Sequence, residues 1–181
     1  MRIARAAIGA HLAGAEPAEP LQVSLPEATG VFVTIKRHGE LRGCLGVLQM
    51  RGSLAGEVAR CARDSASADP RFPPMVPGEL LDAVLEISVL GSLEQIDPAV
   101  SDAIVVGRHG LVVEHGGRRG LLLPQVAVEW GWTTEAFLGH TCRKAGLAED
   151  AWRRGAHVFR FEAEVFAEHK EAARRLLDGK W

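Results

Sequence analysis

The sequence lacks the features that mark several large classes of protein. Its 181 residues contain three cysteines, Cys44, Cys61 and Cys142, and no CxxC pair. An odd number of cysteines without a CxxC pair argues against a disulfide framework, a zinc knuckle or an iron–sulfur cluster held by this chain alone. No window approaches the roughly 20 consecutive apolar residues that cross a bilayer, and the first residues are too amphipathic for a signal peptide. We therefore expect a cytoplasmic protein with reduced thiols and no membrane contact.

The sequence also lacks an excess of charge and the common ligand-binding motifs. Lys and Arg number 21 against 23 Asp and Glu, which gives a formal net charge of −2. Such a chain has no broad cationic surface for phosphates, and this argues against a nucleic-acid-binding protein. GxGxxG, Walker-type, HExxH, GxSxG and EF-hand motifs are missing, so the commonest nucleotide, protease, hydrolase and calcium sites are excluded. We expect neither a cofactor nor a metal.

The patterns that are present predict one mixed α+β domain over residues 1–181. Helical spacing recurs in residues 3–12, after a Ser53 cap, and after Thr133 or Thr134, and Pro124 suits the first turn of another helix. A linker is expected at residues 15–20, a short helical piece at 79–83 and a helical tail at 169–177. Alternating or extended runs predict strands over residues 31–36, 41–48, 85–89, 104–106, 111–114, 118–123 and 159–165. The hairpins favour a largely antiparallel sheet with flanking helices.

The segment LRGCLG, residues 41–46, is the first of three unusual places. Glycines such as Gly43 and Gly46 permit positive φ and close approach of a ligand. Exposed amides beside Arg42 would favour a thiolate or a bound anion at Cys44. The structural alternative is a small core residue, because free cysteine is among the most buried residue types and strand glycines often mark only a bulge.

Two later segments present polar groups that suit a ligand. In DPRFPP, residues 69–74, prolines restrict the backbone while Asp69, Arg71 and an aromatic ring are displayed together. Arg71 could hold a carboxylate or a phosphate in two-point geometry. Gln125 and Glu129 offer an amide and a carboxylate near the start of a predicted helix. The structural alternatives are a turn at Asp69 with Arg71 fastening the loop, and ordinary helix capping and packing at the later segment.

These segments, taken in order, closely resemble the AMMECR family, whose prokaryotic members are called AmmeMemoRadiSam system protein A. The matching stretches are GVFVTIKRHGELRGCLG, ASADPRFPPM with GELLDAVLEISVL, GRHGLVVEHGGRRGLLLPQVAVEWGW and FLGHTCRKAGLAEDAW, which cover residues 30 to 152 almost without interruption. LRGC(I/L)G is the family's hallmark, and Leu45 stands here where isoleucine is usual, a volume-conserving change. The resemblance implies two α+β lobes around a central antiparallel sheet, with a cleft between the lobes.

The resemblance implies less about chemistry, because the family's molecular activity is not established. Its members are found alongside a Memo-like protein and a radical-SAM protein, so we expect a partner or scaffold for both. The alternative is a thiol-dependent enzyme or small-molecule-binding protein with Cys44 in the inter-lobe cleft. There Arg42 or Arg71 would neutralise an anionic small molecule, and His109 or His140 would pair with the thiol. The other hallmark positions expected to bind in that cleft are Gly43, Gly46 and Asp69.

Overall fold

The computed structural model describes residues 1–15, 28–100 and 102–168. These residues form α1 (Arg2–Leu12), β1 (Gly30–Arg37), β2 (Glu40–Val47), α2 (Leu54–Ser67), β3 (Ala83–Leu90), β4 (Glu94–Ile96), β5 (His109–His115), β6 (Arg118–Leu122), α3 (Pro124–Glu129), α4 (Thr134–Lys144) and β7 (His157–Ala167). Short 3₁₀ turns lie at Pro77–Leu81 and Ala151–Arg153. The pairs β1–β2, β1–β3, β4–β7, β5–β6 and β5–β7 are antiparallel, which confirms the predicted fold class.

The chain divides into two compact units. The first comprises Met1–Leu90 with Glu164–Trp181, and the second comprises Gly91–Ala163. Strand β7 contributes to both, since it runs from His157 to Ala167 and the boundary falls within it. Within the described ranges, no helix is both long and apolar enough to span a membrane. The cytoplasmic location stays a prediction.

In the first unit, the strand order β2-β1-β3 provides a sheet against which the helices pack. Alternation along β1 places Val31, Val33 and Ile35 in the core, and all three are fully buried. The apolar stripe of α2, which includes Val58 and Cys61, belongs to the same cluster of buried residues. Cys61 is thus a core residue of the first unit.

The close approach of α2 explains one glycine of β2. A Cβ on Gly43 would lie 2.1 Å from the carbonyl oxygen of Ser65, so a side chain there would collide with the helix backbone. At this contact the Ser65 hydroxyl donates to the carbonyl of Val33 at 2.8 Å and accepts the Leu45 N–H at 2.8 Å. One hydroxyl of α2 thus joins β1 to β2.

In the second unit, β5 pairs with both β6 and β7, and α3 and α4 pack against this part of the sheet. Helix α4 begins after Thr133, whose side chain accepts the Ala136 N–H at 3.3 Å. Its apolar stripe packs in the core of this unit, where Phe137 and Leu138 are almost fully buried. The cluster also contains Leu111, Val113, Cys142 and Val158.

Most predicted elements are confirmed, and the exceptions have local causes. The strand expected at residues 104–106 is wrong, because the N–H groups of Arg108 and His109 both bond to Val105 and close a turn there. The helical piece expected at residues 79–83 is a 3₁₀ turn that ends at Leu81, and β4 was not predicted. The tail at residues 169–177, and the linker at residues 15–20 beyond its first residue, lie outside the described residues.

Candidate functional site

The hallmark segment LRGCLG forms most of β2, the last strand in the order of its unit. Its register with β1 slips by one residue between Gly43 and Leu41, so Arg42 is the extra residue of a β-bulge. A bulge interrupts the two-residue alternation of side chains and re-aims them. In a regular strand, the side chains of Arg42 and Cys44 would lie on the same face of the sheet. Here Arg42 contacts Glu79, whereas Cys44 contacts Thr34.

Arg42 is fastened to the neighbouring loop and turn. Its Nε and Nη2 donate to the two carboxylate oxygens of Glu79 at 2.9 and 3.0 Å, and Nη2 also donates to the Pro73 carbonyl at 2.9 Å. Arg37 donates to the same carboxylate at 2.9 Å. The bonds from Arg42 are the main reason that the pKa of Glu79 falls to about 2. The Arg42 charge is therefore already matched by a carboxylate of its own unit.

Asp69 and Arg71 cap the free edge of β2 at Cys44. The Cys44 N–H donates to Asp69 Oδ2 at 2.8 Å, and Arg71 Nη2 donates to the Cys44 carbonyl at 3.1 Å. Both backbone groups of Cys44 therefore point away from β1, toward the place that a further strand would occupy. Arg71 also binds Asp69 through Nε at 2.9 Å and Nη2 at 2.7 Å, and these bonds lower the pKa of Asp69 to about 2. This is the geometry of the structural alternative, in which Arg71 fastens the loop.

The Cys44 thiol is partly exposed and lies beside Thr34, its register partner on β1. The Thr34 hydroxyl donates to Sγ at 3.2 Å. Burial raises the pKa of the thiol, and the Thr34 hydrogen bond and the Arg71 charge oppose it without reversing it. The carboxylates of Asp69 and Glu86 act in the same direction as burial. Cys44 is therefore a neutral thiol near pH 7, which is a poor nucleophile.

The protein itself fills the space beside the two hallmark glycines. A Cβ on Gly46 would lie 2.4 Å from the Phe32 ring and from the Val31 carbonyl oxygen. At Gly43 the obstacle is the backbone of α2, as described above. Both glycines allow another part of the first unit to approach, and a binding role for either stays a prediction.

His109 is the first residue of β5, and it is buried. Its Nδ1 accepts the Val105 N–H at 3.0 Å, which assigns the proton of the neutral ring to Nε2. Burial lowers the pKa of His109, and the charges of Arg160 and Arg108 lower it further. The ring thus closes the turn before β5. His109 belongs to the second unit and Cys44 to the first, and their pairing stays a prediction.

Gln125 and Glu129 lie four residues apart on α3 and so share one side of that helix. Glu129 is exposed and Gln125 is half-buried. Next to Glu129, Trp130 is 70% exposed and stacks on Trp132 with ring centroids 6.3 Å apart. Trp132 in turn stacks on His140 at 3.7 Å. The ligand role expected for Gln125 and Glu129 stays a prediction.

Three residues that fasten the hallmark segments were missed from the sequence. Thr34 lies across from Cys44 only because of the bulge, since a regular hairpin with Lys36 opposite Leu41 would pair Thr34 with Gly43. Glu79 and Ser65 carry no local signal, since both reach β2 only through tertiary packing. Among the residues that the structure describes, no group of three His, Cys, Asp or Glu side chains could hold a metal ion.

Comparisons with known proteins agree with this fold and sequence pattern. The AMMECR1 family model matches residues 1–166. A protein from Thermofilum pendens is 46% identical, and the match covers 93% of this chain and 87% of that protein. A protein from Methanothermobacter thermautotrophicus is 44% identical, and the match covers 93% of this chain and 92% of that protein. The crystal structure of an uncharacterized protein from Pyrococcus horikoshii is similar with a TM-score of 0.86 at 43% identity, covering 93% of this chain and 89% of that one. This chain belongs to the AMMECR1 family.

Proposed function

We propose that this protein acts by docking other proteins, as partner or scaffold for a Memo-like protein and a radical-SAM protein. One contrast supports the proposal. The hallmark cations are matched within their own unit, Arg42 by Glu79 and Arg71 by Asp69, whereas large apolar side chains beside α3 are exposed. Exposed apolar groups that cluster are typical of interaction surfaces. The two partner classes come from the AMMECR resemblance.

The exposed residues Val105, Val128 and Trp130 make up a surface that we call the α3 patch. Their exposed fractions are 45%, 59% and 70%. Val128 Cγ2 lies 3.1 Å from the place that a Cβ on Gly107 would take, so α3 meets the turn that follows Val105. Trp130 is supported from behind by its stacking on Trp132. A large aromatic side chain held in a fixed position is the usual anchor of a protein interface.

The proposal is tested by titration calorimetry of the purified protein with the Memo-like protein and, separately, with the radical-SAM protein of the same organism. We expect Trp130→Ser to weaken binding at least tenfold, since truncating an interface anchor costs about 2 kcal/mol or more. Leu81→Ser is the matched control, because Leu81 is an apolar residue of the first unit that is 57% exposed. It is expected to leave affinity unchanged.

Two results would count against docking through the α3 patch. The first is an equal loss of affinity in Trp130→Ser and Leu81→Ser, which would indicate a nonspecific apolar effect. The second is the absence of binding by the wild-type protein to both partners at high micromolar concentration. Thermal unfolding of each variant checks its fold, and a side chain as exposed as Trp130 is expected to change stability by no more than about 0.5 kcal/mol.

The thiol-dependent or ligand-binding alternative retains one supporting observation. Cys44 is only partly buried, and the nearby Arg71 charge favours its thiolate. This alternative ranks second for two reasons. Burial raises the pKa of the Cys44 thiol more than the Arg71 charge lowers it, and the Arg71 guanidinium already donates two hydrogen bonds to Asp69. The pH dependence of Cys44 alkylation separates the two proposals.

A further inference from the structure

The first unit contains a group of arginines that lies outside the hallmark segments LRGCLG and DPRF. A cavity of about 790 Å³ opens where β2 ends and α2 begins. Pockets for small molecules typically span roughly 300–1,000 Å³, so this one is large enough for a metabolite of nucleotide size. The residues of its wall that matter here are Arg51, Arg60, Arg63, Glu57, Val47 and Leu48.

Arg60 and Glu57 form a fixed part of this wall. Arg60 Nε donates to Glu57 Oε2 at 3.0 Å, and Arg60 Nη1 donates to Asp64 Oδ2 at 3.1 Å. The other Glu57 oxygen accepts the Arg51 N–H at 3.0 Å, and this backbone bond is the main cause of the lowered pKa of Glu57. The charge of Arg60 is therefore matched before any ligand arrives.

Arg51 and Arg63 supply the charge that is not matched. Among the described residues, neither guanidinium makes a hydrogen bond or a salt bridge, and Arg63 Nε is buried without a partner. Both residues line the cavity, and the Nη groups of their guanidinium ions have hydrogens to donate to an acceptor there. Three arginines against the carboxylates of Glu57 and Asp64 leave an excess of one positive charge.

We propose that this cavity binds a phosphorylated small molecule of nucleotide size. Arg51 and Arg63 present planar forks that suit phosphate oxygens. A Cβ on Gly52 would meet nothing within 4 Å, so the backbone at the start of α2 is open to a ligand. Val47 and Leu48 give the rest of the ligand an apolar surface. The site is separate from the α3 patch, which belongs to the other unit.

The test uses the full chain with inorganic pyrophosphate and ADP as probes. We expect saturable binding by calorimetry, with chemical-shift changes at the amides of Gly52 and Gly56 in two-dimensional NMR spectra, and tighter binding of ADP than of pyrophosphate. Arg51→Gln and Arg63→Gln are each expected to weaken ADP binding at least tenfold, the loss that follows removal of a charge-assisted hydrogen bond. Arg119→Gln removes an arginine from the β5–β6 hairpin and is the control for net charge.

The proposal is overturned if neither probe binds saturably at millimolar concentration, or if Arg119→Gln weakens binding as much as the pocket variants. Equal affinity for pyrophosphate and ADP would overturn the nucleotide-sized ligand, because the apolar surface would then contribute nothing. Arg51 is exposed, so Arg51→Gln is expected to fold even if Arg63→Gln does not. Trp130→Ser should bind ADP like the wild type, which keeps this proposal separable from docking.

Discussion

Among single residues, Cys44 is expected to alkylate slowly at neutral pH, because burial raises the pKa of its thiol. Its alkylation rate should rise with a midpoint above the value of about 8.5 that is typical of free cysteine. Cys61 and Cys142 are fully buried, and burial raises the pKa of Cys61 to about 11, so both are expected to react only after unfolding. Mass spectrometry after iodoacetamide treatment across a pH series resolves the three sites. A Cys44 midpoint below about pH 7 would favour the thiol-dependent alternative.

The carboxylates of Asp69 and Glu79 are expected to contribute stability that is lost in acid. Their pKa values fall from 3.8 and 4.5 to about 2 on folding, mainly through the bonds from Arg71 and Arg42. A depressed folded pKa gives full stabilisation above the unfolded pKa, so each contribution of about 2 to 3 kcal/mol should fade between about pH 4.5 and about pH 2. Urea unfolding at several pH values should give a shallower acid slope for Asp69→Asn and Glu79→Gln. Slopes equal to the wild type would contradict this assignment.

Among the elements, the packing of α2 on β2 depends on Gly43. We expect Gly43→Ala to lower the free energy of unfolding by about 3 kcal/mol or more, because the new Cβ would meet the Ser65 carbonyl oxygen at 2.1 Å. Gly78→Ala is the control, since a Cβ there meets nothing within 4 Å and the change should stay within about 0.5 kcal/mol. Similar losses in the two variants would contradict this account, because only the Cβ at position 43 would collide with α2.

The elements that the sequence predicted well are those determined by local chemistry. Ser53 and Thr133 cap helices because their side chains accept amide hydrogens of the first turn. The β1–β2 hairpin follows from alternation along β1 and a turn at its end. The segment at residues 104–106 looked extended because it is apolar, but the ring of His109 holds it in a turn. That contact cannot be read from apolar spacing.

Over the whole molecule, a buried ion pair joins the first helix to Glu168, the residue that follows β7. Arg5 Nε donates to Glu168 at 3.0 Å, and Glu168 also accepts the Leu85 N–H at 3.0 Å. Removing one member of a buried pair leaves an uncompensated charge, so Arg5→Ala is expected to cost about 3 to 5 kcal/mol in urea unfolding. His11→Ala is the control, because His11 is an exposed residue of the same helix. A loss below about 1 kcal/mol for Arg5→Ala would contradict the stabilising role of the pair.

The proximity of the two hallmark segments was predictable, but the geometry of their contacts was not. LRGCLG and DPRF are adjacent in the structure, since the backbone of Cys44 binds Asp69 and Arg71. The contact between Arg42 and Glu79 could not be predicted from the sequence, because it depends on a bulge and therefore on the register between β2 and β1. Nor does the sequence identify the arginine-lined cavity, whose members come together only when β2 packs on α2.

The most direct test of the docking proposal compares the affinity of the Memo-like protein for the wild type, Cys44→Ser and Trp130→Ser in one calorimetric series. We predict that Cys44→Ser binds like the wild type, because the thiol lies against Thr34 and the cations around it are matched. We predict that Trp130→Ser loses at least tenfold in affinity. Loss of binding in Cys44→Ser together with unchanged binding in Trp130→Ser would contradict docking through the α3 patch.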